Sequence, residues 1–261
     1  MGRVFQRKAI VTSWSGLPIA NLRHTAATIT QAADDINYPE ATIGSPTSVA
    51  SLRTVSGTIE GLLPTPQIGN AGAVAYSDGY AQSVQSWSMN LQCPAIPATV
   101  FGGSGLSSRY REFDPGIIEA TGSYTAVVDD ATGLSEAGED VPGAATFTLS
   151  SGNTLAGNIY TTQLGLPVTI GQLSVATYNY RVSGGIEAVG TNSIVTAADP
   201  IAVPSASTLT FEYADNDTAG EFAVSAFWTS LNVTVTPGDM TRVQVGWQGT
   251  GAVTNTAPAG A

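Results

Sequence analysis

Hydrophobic and polar residues alternate with period two along much of this chain. The clearest runs are rich in β-branched and aromatic residues, which pack well on a pleated, half-buried surface. Gly, Asn, Asp and Pro separate the runs and predict turns at 151–153, 215–217 and 237–239. The predicted strands are Thr146–Ser150, Leu173–Val182, Thr208–Tyr213, Leu231–Thr236 and Thr241–Trp247.

Few segments have the spacing of an amphipathic helix. Asn21–Ala33 is rich in Ala and Thr but has no clean apolar stripe. Ala131–Glu139 is the best candidate, because Asp129 and Asp130 precede it and acidic residues favour a helix N-terminus. The sequence therefore predicts an all-β fold with at most one or two short helices.

Composition and charge narrow the class of protein. Of the 261 residues 43% are apolar, enough for a core, and only 11% are charged, which excludes coiled coils and helical bundles. Nine basic residues face 20 acidic ones, and so acidic a chain repels phosphate and does not bind nucleic acid by counterion release. Arg3, Arg7 and Lys8 form a basic N-terminal arm, which is either an anchor or interface strand or a solvated terminus.

Motifs of catalysis and metal binding are absent from the sequence. Cys93 and His24 are the only residues of their types, so we expect no disulfide framework and no Cys- or His-based metal site. Asp215, Asp217 and Asp239 are explained as turn residues more simply than as calcium ligands. We expect no enzyme, no metal and no cofactor; a carboxylate pair for glycoside cleavage stays open, because its spacing is not visible in sequence.

Targeting signals are also absent. No stretch approaches the ~20 apolar residues of a membrane span. Ala9–Val11 is too short for the apolar centre of a signal peptide. We expect a soluble chain that folds where thiols stay reduced, with no membrane anchoring.

Two segments divide the chain into blocks. Residues 64–75 and 196–207 are rich in Pro, Gly and Ala, lack a strand pattern and are predicted linkers. They separate an inner block, 76–195, from an outer block made of 1–63 and 208–261.

Short motifs recur between these blocks. Ser-Trp-Ser at 13–15 recurs at 86–88, and the segment 51–60 resembles 116–125 around a Ser/Thr-Gly-Ser/Thr motif. Among the later segments, Ala156-Gly157 aligns with Ala219-Gly220. This order predicts two similar domains, one nested in the other. A sequential four-segment sandwich is the alternative.

The same motifs resemble the tail tube proteins of long-tailed bacteriophages. The resemblance lies in the stretch 101–130 (FGGSGLSSRYREFDPGIIEATGSYTAVVDD), in Ala219-Gly220 with Phe227–Val235 and Gly238-Asp239, and in the ending Gln248–Ala252 (QGTGA). It covers most of the chain when the duplication is accepted, whereas a simple family member has one such domain. It implies two tail-tube-like β-sandwich or partial-barrel domains in one chain.

This resemblance also implies a function and partners. Single-domain members stack as six-membered rings, so a doubled chain would form homotrimeric rings that stack into the conduit for genome ejection. Strands donated to a common barrel close the exposed sheet edges of each copy. Implied partners are the chain itself, tape-measure, tail-terminator and distal-tail proteins, and transiting DNA that is not specifically bound. The protein would be assembled in the host cytoplasm and located in the virion tail.

Two loops are candidate contacts between rings or subunits. The loop 102–114 carries residue types favoured at interfaces, and by the resemblance it bridges one ring to the next. Its counterpart in the outer block is Gln31–Ser51, where acidic residues would oppose the arginines and set the stacking register. An ordinary surface loop is the alternative. The candidate residues are Arg109, Tyr110, Arg111, Glu112, Phe113, Asp34, Asp35 and Glu40.

Three other functions compete with the tail tube. A head-decoration or distal-tail virion protein shares the composition and part of the fold. A carbohydrate-binding β-sandwich could use four Trp and nine Tyr for stacking, and a hydrolase could use scattered carboxylates. We expect the tryptophans, at 14, 87, 228 and 247, to lie in the core rather than on a sugar-binding platform.

Overall fold

The structure, a computed structural model, is all-β. It describes residues 11–15, 22–39, 46–66, 71–75, 81–98, 111–128, 142–150, 152–170, 172–190, 201, 203–212 and 220–256, and no helix occurs among them. The predicted fold class is confirmed. The strands are β1 Val11–Ser13, β2 Arg23–Pro39, β3 Pro46–Pro66, β4 Gly72–Ala75, β5 Ala81–Gln92, β6 Ala95–Pro97, β7 Phe113–Pro115, β8 Glu119–Val127, β9 Gly143–Ser150, β10 Asn153–Gly165, β11 Val175–Gly190, β12 Ser207–Glu212, β13 Glu221–Val235 and β14 Met240–Thr256.

All five predicted strands are present, as β9 and β11–β14. The β9–β10 and β13–β14 turns are where the sequence predicts them, and Gly152 and Gly238 supply the positive φ angles of 80° and 81° that those turns need. The Ala/Thr-rich segment from residue 23 onward is β2. The predicted turn 215–217 and the candidate helix 131–139 lie outside the described residues.

One predicted linker is wrong in part. Within 64–75, β3 continues to Pro66 and Gly72–Ala75 forms β4, which pairs with β5 on one edge and β9 on the other. A strand of four residues with one large apolar side chain, Val74, is too short to show a period-two pattern. In the other linker, 196–207, residues 201 and 203–206 form no strand and β12 begins at Ser207.

Twelve of the fourteen strands form one antiparallel sheet, and β6 and β7 form a separate hairpin. Six strands close on themselves in the order β4-β9-β10-β11-β8-β5, and we call them the inner unit. The other six, the outer unit, follow the order β1-β12-β13-β14-β3-β2. β1 takes the place of β4 and β2 that of β5, but no pairing of β1 with β2 occurs among the described residues.

The register of the two units matches as well as their strand order. Gly122 lies opposite Tyr180, and Gly57 of the outer unit lies opposite Trp247. A Cβ at Gly122 would collide with the Ser88 carbonyl oxygen and the Tyr180 ring; at Gly57 it would collide with a β2 carbonyl oxygen and the Trp247 ring. In both units a glycine is therefore required where an aromatic ring of the neighbouring strand crosses β8 or its counterpart β3.

Side chains beside the two glycines repeat the same contact. Ser88 and Ser123 of the inner unit join their hydroxyls at 2.9 Å, and Thr28 and Thr58 of the outer unit do so at 2.7 Å. The register of β5 on β8 shifts between residues 84 and 86, and that of β2 on β3 shifts between 24 and 26, at the corresponding position. The register of β10 on β11 shifts at 161–163 and that of β13 on β14 at 228–230.

This register corrects part of the sequence alignment. The pairing of 51–60 with 116–125 agrees with it, since Gly57 corresponds to Gly122. The Ser-Trp-Ser match is wrong, because Trp87 corresponds to Ala27 on β2. Ala156 corresponds to Ala223 and not to Ala219. The nested division of the chain into two domains stays a prediction.

Each unit has its own hydrophobic core. In the inner unit the Phe147 and Tyr180 rings stack with their centroids 5.1 Å apart, and at the corresponding positions the Phe211 and Trp247 rings lie 5.5 Å apart. The larger core cluster continues from the inner unit into β13 and β14 through Leu231, while the smaller one belongs to the outer unit alone.

Candidate assembly surface

The two units are joined by direct strand pairing. Residues 230–235 of β13 pair antiparallel with 87–92 of β5, beside the short β4 on the same edge of β5. Val233 lies opposite Met89 and Leu231 opposite Leu91, and all four side chains are buried. We call this contact the internal junction.

The internal junction produces a continuous sheet of eight strands. Its order is β2-β3-β14-β13-β5-β8-β11-β10, in which four strands of the outer unit are followed by their four counterparts of the inner unit. One face of the sheet points into the two cores. The opposite face carries short uncharged polar side chains, among them Ser88, Asn90, Ser123, Asn179, Asn232 and Thr234.

Charges on this polar face are few and partly neutralised. Arg181 forms an ion pair with Glu119 at 3.2 Å, and Arg242 lies 3.7 Å from Asp239. Glu60 accepts a hydrogen bond from the Gln244 side chain at 3.1 Å. Such exposed pairs stabilise the fold little, but they leave little net charge on the described part of the face.

The eight-stranded sheet has two different ends. At one end is β2, whose neighbour is β3 and whose other edge has no partner strand among the described residues. At the other end β10 leaves the sheet at Gly165 and continues as an exposed apolar segment. There Leu166 is 36% exposed, Val168 74% and Ile170 fully exposed. Exposed sheet edges and apolar segments of this kind are typical of protein contacts.

The predicted contact loop 102–114 is described only from residue 111. There its backbone is held against the outer unit: the Arg111 N–H donates to the Arg53 carbonyl oxygen at 2.8 Å, and the Phe113 N–H donates to Thr250 Oγ1 at 3.0 Å. The Glu112 carbonyl oxygen accepts from the Ala98 N–H at 2.9 Å. Arg109 and Tyr110 lie outside the described residues.

The second predicted loop is largely a strand extension. Asp34 and Asp35 lie within β2, which pairs with β3 as far as the Pro39–Pro46 pair, so the described parts of Gln31–Ser51 form the two arms of a long hairpin; residues 40–45, Glu40 among them, lie outside the described residues. This hairpin connects β2 to β3 just as the loop 102–114 lies between β5 and β8, their counterparts. Arg53 is opposite Ala33 on β2, so the structure brings the base of the hairpin beside Arg111. The basic arm of Arg3, Arg7 and Lys8 lies outside the described residues.

The described aromatic residues lie mostly in the cores, and burial shifts the pKa of several titratable side chains. Three of the four tryptophans are buried, and the fourth, Trp14, packs against both cores. Burial lowers the pKa of His24. It also raises the pKa of the Cys93 thiol, which donates a hydrogen bond to the Gly116 carbonyl oxygen at 3.3 Å. Burial raises the pKa of Tyr180 as well.

The described residues contain neither a metal-binding cluster nor a membrane-spanning helix. They contain no group of three or more His, Cys, Asp or Glu side chains placed to hold a metal ion. They also contain no helix with the length and apolar character to cross a membrane.

Comparison with known proteins gives no family assignment. No family model matches the chain, and no curated protein matches it.

Sequence reasoning missed both ends of the eight-stranded sheet. β2 lacks the apolar alternation of a half-buried strand, because several of its side chains are short and exposed. The segment 166–173 alternates apolar residues with Pro, Thr, Gly and Gln, and this pattern was available as a signal. Its exposure follows only from the position at which β10 leaves the sheet.

Proposed function

We propose that this chain is a structural virion protein that assembles into stacked rings and forms the tail tube of a long-tailed bacteriophage, the conduit for genome ejection. The observation that supports this best is the eight-stranded sheet, in which two four-strand sets follow one another with matching register. A sheet built by repeating one junction can continue from copy to copy and close around an axis.

The polar face suits the wall of such a conduit. Short Ser, Thr and Asn side chains with paired charges offer few free cations, and each phosphate that a cation neutralises would add to the affinity for DNA. The described part of the polar face is close to neutral, although the whole chain is acidic. Weak DNA binding would therefore follow from the absence of free cations on this face and not from repulsion by the net charge of the chain. DNA could then move along the wall without being held.

The rival functions have less support. Stacking on a sugar needs exposed aromatic rings, whereas Trp87, Trp228 and Trp247 are buried. No observation favours a decoration or distal-tail protein over a tube.

Electron microscopy of the purified protein tests the proposal. We expect stacked rings with a central hole, and discrete particles that never stack would contradict a tube. Changing both Arg109 and Arg111 to Glu should abolish stacking while the subunit stays folded by circular dichroism. The charge-preserving variant Arg109→Lys/Arg111→Lys is the matched control, and intact tubes from the Glu variant would remove these arginines from the contact.

A DNA-binding assay tests the conduit wall. Wild-type tubes should retain no DNA at physiological salt. Thr121→Lys combined with Asn232→Lys places free cations on the polar face and should produce binding that weakens steeply as salt increases. Thr146→Lys, on an exposed position of β9, is the control and should not bind DNA. Equal retention by both variants would contradict the assignment of the polar face to the lumen.

A further inference from the structure

Each side of the internal junction has an equivalent elsewhere in the chain that no described strand covers. One side of the junction is β5, and its equivalent in the outer unit is β2. The other side is residues 230–235 of β13. Their equivalents in the inner unit are residues 163–165 at the end of β10, which the pairings with β11 and β14 match, and residues 166–168, which follow β10 directly along the chain. Neither β2 nor 163–168 is covered at that edge by a strand among the described residues.

Apolar residues of the internal junction are buried, whereas their equivalents on β2 and in 163–168 are partly or fully exposed. This difference is expected if the equivalents lack a partner strand. Met89 is 2% exposed and its equivalent Ile29 is 40% exposed. Val235, opposite Trp87 in the junction, is fully buried, and its equivalent Val168 is 74% exposed. The same positions are thus apolar in both units but covered in only one.

We infer that the β2 edge of one copy pairs antiparallel with residues 163–168 of a second copy, repeating the internal junction between chains. The register follows from the junction, where Met89 is opposite Val233. Ile29 would then lie opposite Leu166, and Thr30 opposite Gly165. This inference deepens the proposed function and rests on its ring assembly, but it does not depend on the conduit role.

Proline 167 is compatible with this pairing. Its equivalent in the junction is Thr234, which lies opposite Ser88. The Ser88 carbonyl oxygen accepts a hydrogen bond from the Tyr180 hydroxyl at 3.0 Å, so it points to β8 and away from β13. Residues at this position form a pair that exchanges no hydrogen bonds across the junction. A missing N–H at Pro167 therefore removes no bond from the contact.

The Thr30–Gly165 pair is suited to a disulfide test. At the end of the junction the Cys93 N–H donates to the Thr229 carbonyl oxygen at 2.8 Å, and alternation along β13 makes Asn232 and Asn90 a non-hydrogen-bonded pair. Thr30 and Gly165 are their equivalents. The Cα atoms of such pairs are about 4.5 Å apart, within the range that a disulfide spans. A Cβ at Gly165 would meet only the Thr177 carbonyl oxygen, at 3.8 Å.

Oxidative cross-linking gives the first test. The variant Thr30→Cys/Gly165→Cys should produce a ladder of covalent multimers that ends at the number of chains in the ring. Ala26→Cys/Gly165→Cys is the matched control; its new cysteines would be about 13 Å apart along the strand and should not cross-link. Native Cys93 is buried and remains in both variants.

A charge exchange gives the second test. Ile29→Lys and Leu166→Glu should each raise the concentration needed for assembly at least tenfold, while the double variant should recover most of it. Both side chains are partly exposed, so the thermal melting of the monomer should change little.

The outcomes separate this contact from the proposed function. If the Thr30→Cys/Gly165→Cys variant forms rings without cross-links, the proposed contact is wrong, but the proposed assembly into rings still stands. Cross-linked open filaments support the contact and contradict closed rings. A chain that stays monomeric at every concentration overturns both.

Discussion

In the inner unit the four-residue strand β4 pairs with both β9 and β5 and closes the ring of strands. In the outer unit β1 pairs with β12, and no described residue joins it to β2. Among the described residues the strand β5 pairs with three neighbours, β4, β8 and β13, whereas β2 pairs with β3 alone. Among the described residues the inner unit is therefore a closed set of strands, whereas the outer unit has an edge, on β2, that no described strand covers.

The two cores also differ in chemistry at corresponding positions. In the inner unit the buried Gln82 side chain donates to the Tyr178 hydroxyl at 2.7 Å and accepts from the Tyr124 hydroxyl at 2.8 Å. The outer unit has apolar residues at the same three positions: Leu22, Ile59 and Val245. Strand order and register are repeated, while several of the side chains that fill the core, such as these three, are not. The internal repeat is consequently faint in the sequence.

The largest difference between the units is expected at the two crossing glycines. Gly122→Ala should destabilise the protein by about 3 kcal/mol, because β5 is fixed by its three neighbours and cannot move away from the new methyl group. Gly57→Ala should cost about half as much, because β2 can shift outward. Urea unfolding measures both, and Gly165→Ala should be nearly neutral. Equal losses of unfolding free energy in the two variants would contradict the view that β5 is held more firmly than β2.

The buried Gln82 network should have the next largest effect. Gln82→Leu introduces the outer-unit residue but leaves two tyrosine hydroxyls buried without this partner, at a cost of about 2 kcal/mol. Adding Tyr124→Phe and Tyr178→Phe should recover most of that loss, since both partners are then apolar. If the triple variant does not regain the lost stability, the two cores differ mainly in the shape of their side chains and not in hydrogen bonding.

A smaller effect is expected at Tyr180. Tyr180→Phe removes the hydrogen bond to the Ser88 carbonyl oxygen and should cost about 1 kcal/mol at pH 7. Because burial raises the pKa of Tyr180, the folded state favours the neutral phenol, and stability is lost as pH rises above the usual value of about 10. Melting temperatures from pH 8 to 11 should fall less steeply in Tyr180→Phe. An unchanged slope would place the alkaline sensitivity in other tyrosines.

The smallest effect is expected at His24. Because burial lowers the pKa of this half-buried side chain, the unfolded chain binds the proton more readily than the folded protein does. Stability should therefore fall as pH drops below about 6.5, the usual value of histidine. The difference in melting temperature between pH 7.5 and 5.5 should be smaller in His24→Gln. Identical differences would exclude a contribution from His24.

The fold class and the strongest strands were predictable because their core-facing side chains are large and alternate. β9 and β12, for example, bury Phe147 and Phe211 between polar neighbours. β4 has the sequence pattern of a linker, because it is short and rich in Gly and Ala. The proposed assembly edges could not be predicted, because they depend on which strand edges no described strand covers after folding. That property belongs to the sheet and not to the residues of β2 or the segment 166–170.

A cryo-electron microscopy map of the assembled protein that resolves individual strands tests the proposed contact between copies most directly. We expect one continuous wall in which Ile29 of each copy lies beside Leu166 of the next, as Met89 lies beside Val233 within the chain. A map in which the β2 edge faces solvent, or pairs with any other segment, would contradict it.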